Sequence, residues 1–162
     1  MPQPTHTAAT DRSPHSPRSP LAVGRDEGEH LALGDITIIV KATAENTAGS
    51  LTVFEEVPPL GDVGLHIQHN EDEIYYVLEG EHDFVCGEQT FRLGPGGTIF
   101  MPRGVPHAHS RVVPGAGRLL GVTSPAGFDG FFRAFAEASR AGALHDDTYA
   151  DVSAQYGIHW VT

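Results

Sequence analysis

Two segments bounded by glycine constrain this chain more than anything else in it. The first runs Gly64-Leu65-His66-Ile67-Gln68-His69 and, after a short turn, Glu73-Ile74-Tyr75-Tyr76-Val77-Leu78-Glu79-Gly80. The second runs Gly96-Gly97-Thr98-Ile99-Phe100-Met101 into Pro102-Arg103-Gly104-Val105-Pro106-His107. Alternate residues of a strand share a face, so His66 and Gln68 point one way while Ile67 and His69 point the other. Short apolar runs stopped by glycine and proline are strands joined by tight turns, and a chain built of them closes into a barrel or a double sheet. Imidazoles and a carboxylate on such strands are arranged to present a metal ion to the barrel interior.

The flanking segments continue the pattern. Residues 35–42 are apolar and β-branched, and residues 50–57 partly alternate. Pro58 to Gly61 break the pattern before the first histidine strand. After Gly80 the segments 82–86, 89–93, 98–101, 107–113 and 118–123 read as further strands. Nineteen glycines and twelve prolines suit that many turns. Beyond residue 126 the spacing changes: Phe128, Phe131, Phe132 and Phe135 fall at three- and four-residue intervals, which predicts an amphipathic helix laid on the barrel. A second short helix is expected from Asp147 to Tyr156, closed by Gly157. The expected layout is a Pro/Ser-rich disordered tail over residues 1–20, a barrel over 21–125, and a helical segment over 126–162 packed on the barrel.

Composition narrows the function classes. A length of 162 residues supports one core. The net charge of −11 argues against nucleic acid and anionic membranes as partners. No apolar run reaches the roughly 20 residues that span a bilayer. The single cysteine, Cys86, excludes an internal disulfide framework and reads as a small buried hydrophobe. No charged-then-apolar leader pattern opens the sequence, so a cytoplasmic protein is expected.

The two segments resemble the paired motifs of the cupin superfamily. The first motif there is His-x-His, then Glu five residues later and Gly seven residues after that. Here His66, Glu73 and Gly80 fill it, with Gln68 in place of the second histidine. The second motif, Gly-x5-Pro-x-Gly-x-x-His, is filled by Gly96, Pro102, Gly104 and His107. The resemblance implies an all-β fold, a small double-stranded β-helix (a jelly-roll barrel) with one or two C-terminal helices. The Phe-rich helix after the last barrel strand resembles the tail of quercetinase-like cupins.

The resemblance also implies a divalent transition metal (Fe, Ni, Mn, Cu or Zn) held by His66, Gln68, Glu73 and His107. Two imidazoles and one carboxylate with open positions are the ligand set of non-haem iron oxygenases. Gln68 adds a neutral oxygen donor or bonds a metal-bound water. His109 shares the face of His107 and either replaces the missing ligand or acts as acid or base, so the expected catalytic pair is Glu73 and His109. His69 is the weaker substitute, because alternation turns it outward. Glu71 and Asp72 read as solvated turn carboxylates, His82 as solvent-facing, Arg103 as an exposed rim residue, and His30, His145 and His159 as ordinary. Tyr75 and Tyr76 fall on opposite faces.

The functional expectation is a metal-dependent dioxygenase acting on a flavonol-like or other enolic aromatic small molecule. The alternatives are a polyketide-modifying cyclase and a non-catalytic small-molecule-binding cupin. A homodimer is also expected, through edge-to-edge pairing of the strands between Asp35 and Val57.

Overall fold

The computed structural model describes residues 19–59, 61–143 and 146–161. The expected N-terminal tail therefore lies, up to residue 18, outside the described residues. The elements are β1 (Glu29–Leu33), β2 (Ile36–Ala42), a single helical turn α1 (Ala44–Thr47), β3 (Thr52–Val57), β4 (Asp62–Gln68), β5 (Asp72–Glu79), β6 (His82–Cys86) and β7 (Gln89–Leu93). They continue with β8 (Thr98–Met101), β9 (His107–Arg111), β10 (Arg118–Ser124), α2 (Phe128–Arg140), α3 (Asp146–Gln155) and β11 (Ile158–Trp160). One sheet has the order β1-β2-β3-β10-β5-β8 and the other β11-β4-β9-β6-β7, and every pairing is antiparallel. This is the expected jelly roll with C-terminal helices.

The apolar core lies between the sheets. Phe54, Val77, Phe84, Met101 and Leu119 are completely buried. Gly121 faces Phe54 across one strand pairing and Tyr75 across the other. A Cβ on Gly121 would fall 2.2 Å from the Phe54 ring. The missing side chain lets Phe54 and Tyr75 meet edge to face, with ring centres 6.1 Å apart.

Helix α2 sits on the first sheet as its phenylalanine spacing requires. Phe128 and Phe132 are buried, and Phe131 and Phe135 pack partly buried against the same core. Asp129 accepts from Thr52 Oγ1 at 3.2 Å and also pairs with Arg133, which reaches Glu29 on β1. The second helix begins one residue earlier and ends one residue earlier than expected, and Gly157 closes it at φ +72°. Beyond it comes β11, a strand not expected from sequence, which pairs with β4.

Three expectations are corrected. The strands between Asp35 and Val57 are not sheet edges: β2 and β3 are interior, and β1 and β8 flank that sheet. His82 is fully buried rather than solvent-facing, because it shares its face of β6 with Phe84, which is also fully buried. Asp72 is half-buried and ion-paired rather than simply solvated, and its partner is Arg103, which is exposed as expected. Arg103 donates to Asp72 Oδ1 and Oδ2, to Asn70 O and to Ser124 O, at 2.9–3.1 Å. Arg103 thus ties the turn before β5 to the end of β10, and its guanidinium holds the Asp72 carboxyl down at about 2.

Candidate functional site

Strands β4, β5 and β9 converge at one end of the barrel. On β4, alternation turns His66 and Gln68 inward, where they are buried, and leaves His69 exposed. His66 lies opposite His107 of β9, and their ring centres are 4.4 Å apart. The turn before β9 is fastened to the end of β4 by the Gly104 amide, which donates to Gln68 O at 2.7 Å. Gly104 has φ +78°, so the glycine of the second motif has a conformational reason. Glu73 comes in from β5, and its Oε2 lies 3.5 Å from His107 Nε2.

The tautomers follow from the hydrogen bonds. His66 Nδ1 lies 2.9 Å from Gly64 O, and His107 Nδ1 lies 2.9 Å from Val105 O. A carbonyl only accepts, so each Nδ1 carries a proton, and in the neutral ring Nε2 keeps its lone pair. Burial, and then the neighbouring His107 imidazole, depress the His66 pKa to about 4, so the ring is neutral at physiological pH. His107 Nε2, Glu73 Oε1 and Gln68 Oε1 are buried acceptors with no hydrogen-bond partner.

Buried acceptors without donors suit a cation. Two donors about 2.1 Å from one ion at a tetrahedral angle stand roughly 3.4 Å apart, close to the 3.5 Å between His107 and Glu73. Among the described residues no three His, Cys, Asp or Glu side chains stand closed around a common point. The arrangement is one pair at ligand spacing, with the His66 ring edge-on to His107 and Gln68 on the same strand face as His66. Imidazole, carboxylate and amide oxygen are donor types that suit a divalent transition ion, and the ligand spacing seen is that of the His107–Glu73 pair.

His109 does not join that pair. Its Nε2 lies 3.6 Å from Glu56 Oε1, and Glu56 also accepts from the Tyr75 hydroxyl at 2.8 Å. Burial opposes charge on His109, but Glu56 and then Glu73 outweigh it and raise its pKa. Glu56, Tyr75 and His109 form a second polar cluster, fully buried beside the first. Glu71, expected in solvent, is only 6% exposed. Burial, and then Glu73, push its pKa up to about 7.

A cavity of about 60 Å³ opens onto both clusters, and Phe128, Phe131, Phe132, Tyr149, Ile158 and Trp160 make its apolar wall. Trp160 lies over His66 with ring centres 5.0 Å apart, and its indole N–H donates to Ser153 Oγ at 2.9 Å. Reading the sequence missed Glu56, Tyr149 and Trp160 as site residues. For Glu56, the adjacent acids at 55 and 56 on a strand carried the signal, since one of the two has to face inward. Trp160 sits on a strand too short for any periodicity to reveal.

Comparison with known proteins fits this architecture. The Cupin domain family matches residues 53–122. Quercetin 2,3-dioxygenase of Bacillus subtilis is 30% identical over 115 residues, covering 70% of this chain and 34% of that protein. The dimethylsulfoniopropionate lyase DddQ of Ruegeria pomeroyi is 42% identical over 60 residues, covering 36% of this chain and 30% of the lyase. The chain thus spans about a third of the length of these relatives. An RmlC-like cupin from Shewanella frigidimarina superposes with a TM-score of 0.56 at 23% identity, over 67% of this chain and 93% of that one. Motifs, sheet order and these matches agree: residues 53–122 form a cupin domain.

Proposed function

We propose that this protein is a metal-dependent cupin enzyme that acts, with dioxygen, on a small enolic aromatic molecule. The observation that carries the reading is the set of three buried acceptors without donors, His107 Nε2, Glu73 Oε1 and Gln68 Oε1, beside a neutral His66. His66, Glu73 and His107 would hold the ion, with Gln68 as a neutral fourth donor. A bound transition ion supplies Lewis acidity toward a substrate oxygen and a route to dioxygen. The protein's own contribution is a base and a dry wall. Glu73 has one oxygen toward His107 and the other without a partner, so it can accept the enol proton. Glu56, Tyr75 and His109 present a second polar face to the same cavity. The aromatic wall excludes water from the reacting end. The quercetin dioxygenase relative supports this reading.

The size of the cavity favours a second reading. About 60 Å³ is far below the roughly 300 Å³ at which drug-sized pockets begin. A small substrate undergoing base-promoted elimination, the type of reaction the lyase relative's name denotes, needs Glu73 and no oxygen.

Dioxygen uptake separates the two. Protein loaded with Fe, Ni or Mn is mixed anaerobically with a panel of enolic aromatics, flavonols included, and oxygen is then admitted. Uptake that accompanies loss of the substrate chromophore is the expected result. Glu73→Gln keeps an oxygen donor and removes the base, so turnover falls by at least about 10²-fold. Turnover of a small substrate without oxygen uptake would favour elimination, and binding without turnover would leave a non-catalytic cupin.

A further inference from the structure

A second cavity, of about 160 Å³, lies under α2 and α3 beside the first. The two have Glu56, Val63, Phe131, Phe132 and Tyr149 in common, so the same side chains separate and join them. Beyond that shared wall the second cavity is lined by Leu33, Ile38 and Phe135, all apolar, with the exposed Asp62 among its lining residues. We propose that this cavity is a subsite for an uncharged, apolar tail, and that the substrate is a short head-and-tail molecule. The inference rests on the metal-centre reading, which supplies the place for the head.

Size and charge define the class. The 60 Å³ cavity takes only the oxygen-bearing head, set against Glu73 and His66. A dry cavity of about 150 Å³ in another protein is large enough for benzene, so 160 Å³ suits one ring or a short alkyl chain. A three-ring flavonol exceeds the two cavities together. Glu56 at the junction and Asp62 in the lining disfavour a carboxylate or phosphate on the tail, and a net charge of −11 works in the same direction. The tail is therefore neutral, apolar and no larger than a single ring.

Hydroxamates test this directly, because their heads chelate a divalent ion while the tail is varied. Calorimetry on Ni-loaded protein would compare acetohydroxamate with its straight-chain homologues, with benzohydroxamate, and with a homologue ending in a carboxylate. Affinity should rise by about fourfold per added methylene over the first few carbons and then stop rising. Benzohydroxamate should bind more tightly than acetohydroxamate, and the carboxylate-ended homologue more weakly than its neutral counterpart. Phe135→Ala should move the chain length at which the rise stops outward, and Leu33→Phe should move it inward. Melting curves identify any variant that has lost its fold. Affinity independent of tail length in the wild-type protein overturns the tail subsite and leaves the metal centre standing. If no hydroxamate binds and added Ni does not change the fluorescence of Trp160, the metal-centre reading fails and this inference fails with it.

Discussion

The hydroxyl of Tyr75 donates a 2.8 Å hydrogen bond to Glu56, and both side chains are buried at the end of the barrel that carries the histidines. Glu56 also faces His109, so a carboxylate inside the sheets is held by one neutral donor and one imidazole. Burial is tolerable for such a group only while its partners stay in place. Tyr75→Phe keeps the ring packing against Phe54 and removes the donor. It should destabilise the protein by about 1–3 kcal/mol in urea unfolding. Glu56→Gln with Tyr75→Phe should cost less than the two single changes added together.

Metal content should follow the inward face of the strands. His66→Ala and His107→Ala should each remove most of the bound ion, measured by elemental analysis after dialysis, while His69→Ala should not. Gln68→His places an imidazole where an amide oxygen stands and should tighten binding. Because the chain's single tryptophan lies over His66, metal loading should also quench its emission. Equal metal in all the variants would remove these residues from the site.

Two buried groups give the metal-free protein opposing pH responses. Between about pH 4 and 6.5 the unfolded chain takes up a proton at His66 that the folded chain refuses, so this term lowers stability as pH falls. Between about 4.5 and 7 the folded chain keeps a proton on Glu71 that the unfolded chain releases, so this term lowers stability as pH rises. The two nearly cancel over their common range. Glu71→Gln removes the second term, so its stability should increase with pH across that range where the wild-type curve is flat. The gain over wild type at pH 7 is at most about 3 kcal/mol. Parallel pH curves for the two proteins would show that Glu71 titrates normally.

Gly121→Ala tests the packing that brings Phe54 to Tyr75. The added methyl would press into the Phe54 ring, and the strain should cost about 1–3 kcal/mol. Adding Phe54→Leu should recover part of the loss, as read in melting temperature.

The legibility of this chain follows strand alternation. His66, Gln68, Glu73 and His107 were readable as one inward group because each sits on a strand with clear phase between glycine turns. His82 was turned outward by an alternation phased wrongly along its hairpin, although Phe84, two residues on, marks the buried face. Glu71 looked like a turn residue, but it lies beside a distant part of the chain: a Cβ on Gly127 would fall 3.9 Å from Glu71 Oε1. Trp160 and Tyr149 belong to the site only because β11 pairs back onto β4 and α3 packs on β11 and α2, and no local pattern records a contact across that distance. Edge strands were misassigned for a similar reason: β3 gains β10 as a neighbour from the far end of the barrel.

The partner of the histidine strand comes late. Gln68 of β4 pairs with Ile158 of β11, roughly 90 residues further on. A ribosome making this chain delivers every other strand of the barrel before the one that covers His66. Until β11 emerges, His66 lacks the Trp160 ring that lies over it and β4 lacks one of its two strand neighbours. The wall over His66 is thus completed by the last strand of the two sheets in chain order, after every strand that carries the histidines and Glu73.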